Sequence, residues 1–115
     1  MFDIEKIKLE IIERLKPLNP DKIILFGSYA YGVPNKDSDI DIFLVKDELS
    51  INEIKNYSRE ARKRIRDLIY KYQIGFDILS VPTKFLMNRD DYFYKIDILE
   101  RGKVIYEQNG SQRVA

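Results

Sequence analysis

Two short apolar runs, joined through a glycine-serine turn and a polar loop, constrain this chain more than any other feature. Residues Leu25 to Val45 read LFGSYAYGVPNKDSDIDIFLV. The first run stops at Gly27-Ser28, and the second opens with Asp39 and Asp41, one residue apart. Side chains alternate across a strand, so Asp39 and Asp41 project from one face while Ile40 and Ile42 point to the other. Neighbouring carboxylates repel one another, and an apolar strand offers them no partner. A divalent cation neutralises such a pair, and hard oxygen ligands suit Mg²⁺. The turn supplies the complementary half, a flexible glycine backbone and a helix start whose N–H groups can hold a phosphate. A phosphate cradle beside metal-binding carboxylates reads as nucleotide chemistry.

The rest of the chain supplies the elements such a segment needs for packing. Ile4, Ile7, Ile11 and Leu15 recur at helical spacing, with Asp3 as N-cap and Pro17 and Pro20 closing the segment. Lys22 to Phe26 reads as a buried strand, Ser28 to Tyr31 as a brief helix, Val33 to Ser38 as a loop and Ile40 to Val45 as a second strand. Ile51, Ile54, Ser58, Ala61, Ile65, Leu68 and Tyr72 predict one long helix of about six turns, ended by Gly75. Phe76 to Val81 is a third strand. Thr83 is expected to cap a helical region that continues to Arg101, with Gly102 in the C′ role, before a last strand at Lys103 to Glu107. The fold class is therefore α/β, a small mixed sheet flanked by helices. One domain is expected over residues 1–108, with a flexible tail at 109–115.

Composition narrows the chemistry. The chain has 115 residues with no His and no Cys. Imidazole acid–base catalysis, the Ser-His-Asp triad, His-ligated zinc, thiolate metal sites and disulfides are all excluded. Carboxylates, Lys, Arg, Tyr and a bound metal must do any catalysis, and a reducing cytoplasm is the expected location. The net charge of +1 provides no field for nucleic acid or an acidic membrane. No apolar run approaches a membrane span, and MFDIEKIKLE is too charged to be a signal peptide.

The third strand adds Asp77 within FDILSV, on the same face as Leu79 and Val81. An unpaired carboxylate on that face is costly unless something uses it. If this strand lies beside the second, Asp77 joins Asp39 and Asp41, and three carboxylates can hold two Mg²⁺ ions for in-line phosphoryl or nucleotidyl displacement. Asp77 is then best placed to accept the proton of the attacking hydroxyl.

Gly27-Ser28, ten residues, then Asp39-Ile40-Asp41 resembles the signature of the DNA polymerase β-like nucleotidyltransferase superfamily. The short length and the GSYAYG…SDIDIFLV wording look like its minimal nucleotidyltransferases, the MntA-type antitoxins. The resemblance runs from about Ile4 to Glu107. It implies a polymerase β-like fold, triphosphate binding at Gly27 and Ser28, and metal binding at Asp39, Asp41 and Asp77. It also implies a HEPN ribonuclease toxin as partner, silenced by transfer of AMP from ATP to a tyrosine. One departure is Tyr31, where many relatives carry Arg or Lys.

Two rival readings stand beside this one: nucleotidyl transfer to a small molecule, and a non-catalytic module that masks its partner. A homo-oligomer is also open. Arg59, Arg62 and Arg66 share a helical stripe, read either as a solvated face or as a contact for an acidic partner or the nucleotide. Tyr92, Phe93 and Tyr94 are read as core and rim packing, with an interface as the alternative.

Overall fold

The computed structural model describes residues 3–32, 34–35, 37–88, 98 and 101–108, and of residues 31 and 86–88 the backbone alone. Helix α1 (Ile4–Leu15) begins at Asp3, whose carboxylate accepts from the Glu5 N–H, and ends in a 3₁₀ turn, Lys16–Leu18. Strand β1 (Lys22–Phe26), the single turn α2 (Ser28–Tyr31) and strand β2 (Ile40–Val45) follow. A 3₁₀ turn at Ile51–Glu53 leads into α3 (Ile54–Arg64), α4 (Arg66–Tyr72), β3 (Phe76–Val81), α5 (Thr83–Asn88) and β4 (Lys103–Glu107).

The four strands form one mixed sheet in the order β3-β2-β1-β4. β1 runs antiparallel to both β2 and β4, whereas β2 and β3 are parallel. Parallel neighbours need a crossover, and α3 with α4 provides it. Those helices pack with α1 on one face, where Ile7, Ile11, Leu15, Ile40, Ile42, Leu44, Ala61, Ile65 and Leu68 make the larger core. The other face carries a smaller cluster of Ile24, Phe26, Phe43, Val45, Val81 and Ile98, with Phe26 edge-on to Phe43. β2, apolar on both faces, is thus a central strand rather than an edge, as Ile40 to Leu44 indicated.

The expected long helix is two helices. Ile65 leaves helical geometry (φ −99°, ψ 3°) between α3 and α4, yet its side chain stays fully buried. The apolar periodicity therefore crosses the break unaltered and hides it. The entry is also tighter than expected. Ser50 and Glu53 form a reciprocal capping box, a signature written in the sequence as Ser-x-x-Glu. At the far end Gln73, in the left-handed region (φ 55°), terminates α4, not Gly75. α5 starts at Thr83, whose hydroxyl donates to Asp47. The expected continuation over 89–97 and 99–100, the aromatics at 92–94 and the tail at 109–115 lie outside the described residues.

Polar contacts tie the helical layer together. Arg14 donates through Nε and Nη2 to Asp67, holding α1 against α4, with 2.7 Å for the shorter bond to Oδ2. Glu10 accepts from Lys71 at 2.8 Å and from the Tyr72 hydroxyl. Within the core, the buried Ser58 hydroxyl donates to that of Ser80 at 2.8 Å, joining α3 to β3. Among the described residues no helix is long and apolar enough to cross a membrane.

Candidate active site

The strand order brings the sequence's carboxylates to one place. Asp41 is the register partner of Phe26 on β1 and of Asp77 on β3. By alternation Asp41 stands on the face of Phe43 and Val45, away from the three-helix layer, and Asp77 stands on that face too. Asp39 precedes the strand by one residue and shares the parity of Asp41. All three carboxylates therefore rise from adjacent positions on one side of the sheet.

Their environments differ. Asp41 is half-buried, whereas Asp39 and Asp77 are exposed. Burial, together with the negative charges of Asp77 and Asp39, raises the Asp41 carboxyl to about 6. None of the ion pairs between described residues includes any of the three. The cost expected at Asp77 thus falls on Asp41, because β3 is an edge strand open to solvent, with Leu79 44% exposed. Burial and the charge of Asp39 also raise the Tyr29 phenol above its ordinary value.

The carboxylates do not close on a common point. Among the described residues no three acidic side chains are gathered into a ready metal-ligand set. The donor chemistry nevertheless fits a hard divalent cation: oxygen ligands on one face, mutually repelling, one of them held at a raised pKa by burial and by the other two.

Two glycines are pressed against this cluster. Gly27 (φ 76°) turns the chain out of β1 into α2, and a Cβ built on it would lie 2.2 Å from Asp41 Oδ2. Gly75 carries its carbonyl to the Ile40 N–H at 2.9 Å, and a Cβ there would lie 2.4 Å from Asp39 Oδ1. Sequence reasoning found Gly27 by its place in the turn. It assigned Gly75 to helix termination and missed its close approach to Asp39, although a glycine two residues before Asp77 was a usable signal.

Ser28 heads α2, but that helix is a single turn of four residues, too short for an appreciable macrodipole. Any phosphate contact from this segment must come from the turn's own backbone and hydroxyl. The Tyr31 side chain lies outside the described residues. Arg59, Arg62 and Arg66 are all exposed, but the break at Ile65 divides the stripe, and it stands on the helical layer across the sheet from the carboxylates. A groove of about 470 Å³ opens at the other end of β2, lined by Leu18, Lys46, Leu49, Tyr57, Glu60 and Lys63 among others. It contains none of the site residues, and its mixed charges and distance along β2 separate it from the carboxylate chemistry.

The family profile for a nucleotidyltransferase domain matches residues 4–105. This chain belongs to that family. Two Methanocaldococcus jannaschii proteins, provisionally named protein adenylyltransferases, resemble this nucleotidyltransferase domain in sequence. One is 34% identical over 79 residues, covering 69% of this chain and 72% of that protein. The other is 29% identical over 85 residues, covering 74% and 77%. Among solved structures, a toxin–antitoxin with AMP-PNP superposes with a TM-score of 0.58 at 21% identity, covering 93% of this chain and 78% of that one. A mutant MntA–HpeT toxin–antitoxin superposes with a TM-score of 0.57 at 18% identity, with the same coverage. At these identities the two structures establish a shared fold, which is the α/β architecture expected from the sequence.

Proposed function

We propose that this nucleotidyltransferase transfers AMP from ATP to a hydroxyl of a partner protein, a tyrosine of a HEPN toxin, and so acts as the antitoxin of a toxin–antitoxin pair. The observation that carries the proposal is the pairing of Asp41 with Asp77, directly beside the Gly27 turn, in a chain of this family. The names of the relatives support a protein acceptor, and the neighbours crystallised as toxin–antitoxin assemblies, one with AMP-PNP, support a toxin partner and ATP.

Asp39, Asp41 and Asp77 would hold two Mg²⁺ ions, which supply neutralisation of the triphosphate and activation of the attacking hydroxyl. The chain's own groups then have distinct tasks. The Gly27-Ser28 backbone and the Ser28 hydroxyl hold the triphosphate against the end of β1. Asp41 must be ionised, and the two neighbouring carboxylates that oppose this create the demand for cations. Asp77, exposed on the edge strand, faces an incoming acceptor and takes its proton. The acceptor oxygen forms a bond to the α-phosphorus, the bond from that phosphorus to the β-phosphate oxygen breaks, and pyrophosphate leaves. No covalent enzyme intermediate is needed; positioning and charge neutralisation supply the rate. The acceptor is a side chain of the partner protein and docks at the open face of the sheet from outside.

Transfer from α-³²P-ATP with Mg²⁺ to the cognate toxin, with Asp39→Asn/Asp41→Asn as control, tests this. Label on the toxin that the double variant abolishes is the expected result. A complex that silences the toxin without labelling it would replace catalysis by masking.

A further inference from the structure

Gly27 and Gly75 sit under Asp41 and Asp39 in the same manner, but they differ in what a side chain would cost the backbone. Gly27 has φ 76°, so any substitution there strains the turn as well as meeting the carboxylate. Gly75 is not in the left-handed region. The three nearest atoms are all of the Asp39 side chain: Oδ1 at 2.4 Å, Cγ at 2.9 Å and Oδ2 at 3.4 Å from a built Cβ. These atoms end a short, exposed side chain that is free to turn aside. A methyl group at 75 would therefore meet the Asp39 carboxylate first and push it aside. The neighbouring hydrogen bond, Ile40 N–H to the Gly75 carbonyl, uses the backbone and survives such a change.

We propose that Gly75 is a positioning residue for Asp39: the missing side chain is what lets the Asp39 carboxylate lie against the start of β3, on the side of Asp41 and Asp77. The inference rests on the reading of Asp39 as a metal ligand. It separates fold from site, since the substitution that displaces the carboxylate leaves the strand pairing intact.

The test measures Mn²⁺ affinity by electron paramagnetic resonance of the free ion, and melting in EDTA, for wild type, Gly75→Ala, Asp39→Asn and the double variant. Gly75→Ala is expected to melt with wild type, because glycine-to-alanine replacement at a compatible backbone position is not costly. It should bind Mn²⁺ about tenfold more weakly, the effect typical of residues that orient a ligand. The double variant should bind no more weakly than Asp39→Asn alone, because both changes remove one contribution. Unchanged Mn²⁺ affinity in Gly75→Ala, or a full additional loss in the double variant, overturns the proposal. Should Gly75→Ala melt lower, Asp39→Ala in the same chain must restore it; a loss that persists overturns the proposal too. Wild-type Mn²⁺ affinity in Asp39→Asn is a separate failure, that of the metal reading itself.

Discussion

Asp41→Asn removes the one carboxylate of the site that the fold itself resists. Burial and the charges of Asp77 and Asp39 hold this group at about 6 against an ordinary 3.8. At about 1.4 kcal/mol per pH unit, that difference corresponds to at most about 3 kcal/mol at neutral pH. Asp41 keeps contact with solvent, so screening and relaxation reduce the figure to about 1 kcal/mol. The sign follows from linkage. The folded state holds the proton more tightly than the unfolded chain, so this group's contribution is most favourable below about 4 and declines as pH rises through 6. In EDTA at pH 7.5, Asp41→Asn should therefore melt about 4 °C above wild type. At pH 4 the difference should be smaller, since the folded carboxyl is then neutral and the unfolded one only partly ionised. Mg²⁺ should raise the wild-type midpoint and leave the variant's almost unchanged, while transfer activity is lost in the variant. Paired melts at the two pH values, with and without Mg²⁺, supply the measurement. An Asp41→Asn midpoint at or below wild type at pH 7.5, or an advantage equally large at pH 4, refutes the electrostatic account.

Three further outcomes follow from the packing. Gly27→Ala forces a side chain into a φ of 76° and onto the Asp41 carboxylate; a stability loss of about 1–2 kcal/mol with loss of transfer is expected from denaturant melts and the labelling assay. Ser58→Ala leaves the Ser80 hydroxyl buried without its partner, which should cost about 1–3 kcal/mol, and the Ser58→Ala/Ser80→Ala double variant should cost less than the two single changes together. Urea unfolding of the four proteins gives that coupling directly. The Arg14 guanidinium holds the Asp67 carboxyl below its ordinary value, so its contribution is present at neutral pH and lost on acidification through the carboxylate range. Because the pair is exposed, Asp67→Asn should cost no more than about 1 kcal/mol at pH 7 and almost nothing at pH 2.5, as thermal melts at the two pH values will show.

Much of this architecture was legible in local pattern. The spacing of Ile7, Ile11 and Leu15 marked α1, and all three are fully buried. The alternation from Asp39 to Ile42 placed the carboxylates opposite the helix-facing isoleucines, as the two core clusters show. The break at Ile65 escaped because hydrophobic period reports which side chains are buried, and a residue can leave helical geometry without leaving the core. The burial expected around Asp77 failed because the run FDILSV looks the same at a sheet edge as at its centre. Gly75 was misread because local sequence shows where a glycine lies along the chain and not what passes over it.

Covalent spacing alone determined that Asp39 and Asp41 share a face and that Gly27 ends the strand before them; the absence of His and Cys also removed imidazole and thiolate donors. The tertiary structure decided everything that joins separate segments. Placing β3 beside β2, in parallel and in this register, set Asp77 opposite Asp41 and slid Gly75 under Asp39. That order is chosen by the crossover of α3 and α4 burying their apolar faces on one side of the sheet, a long-range packing balance that no window of neighbouring residues contains.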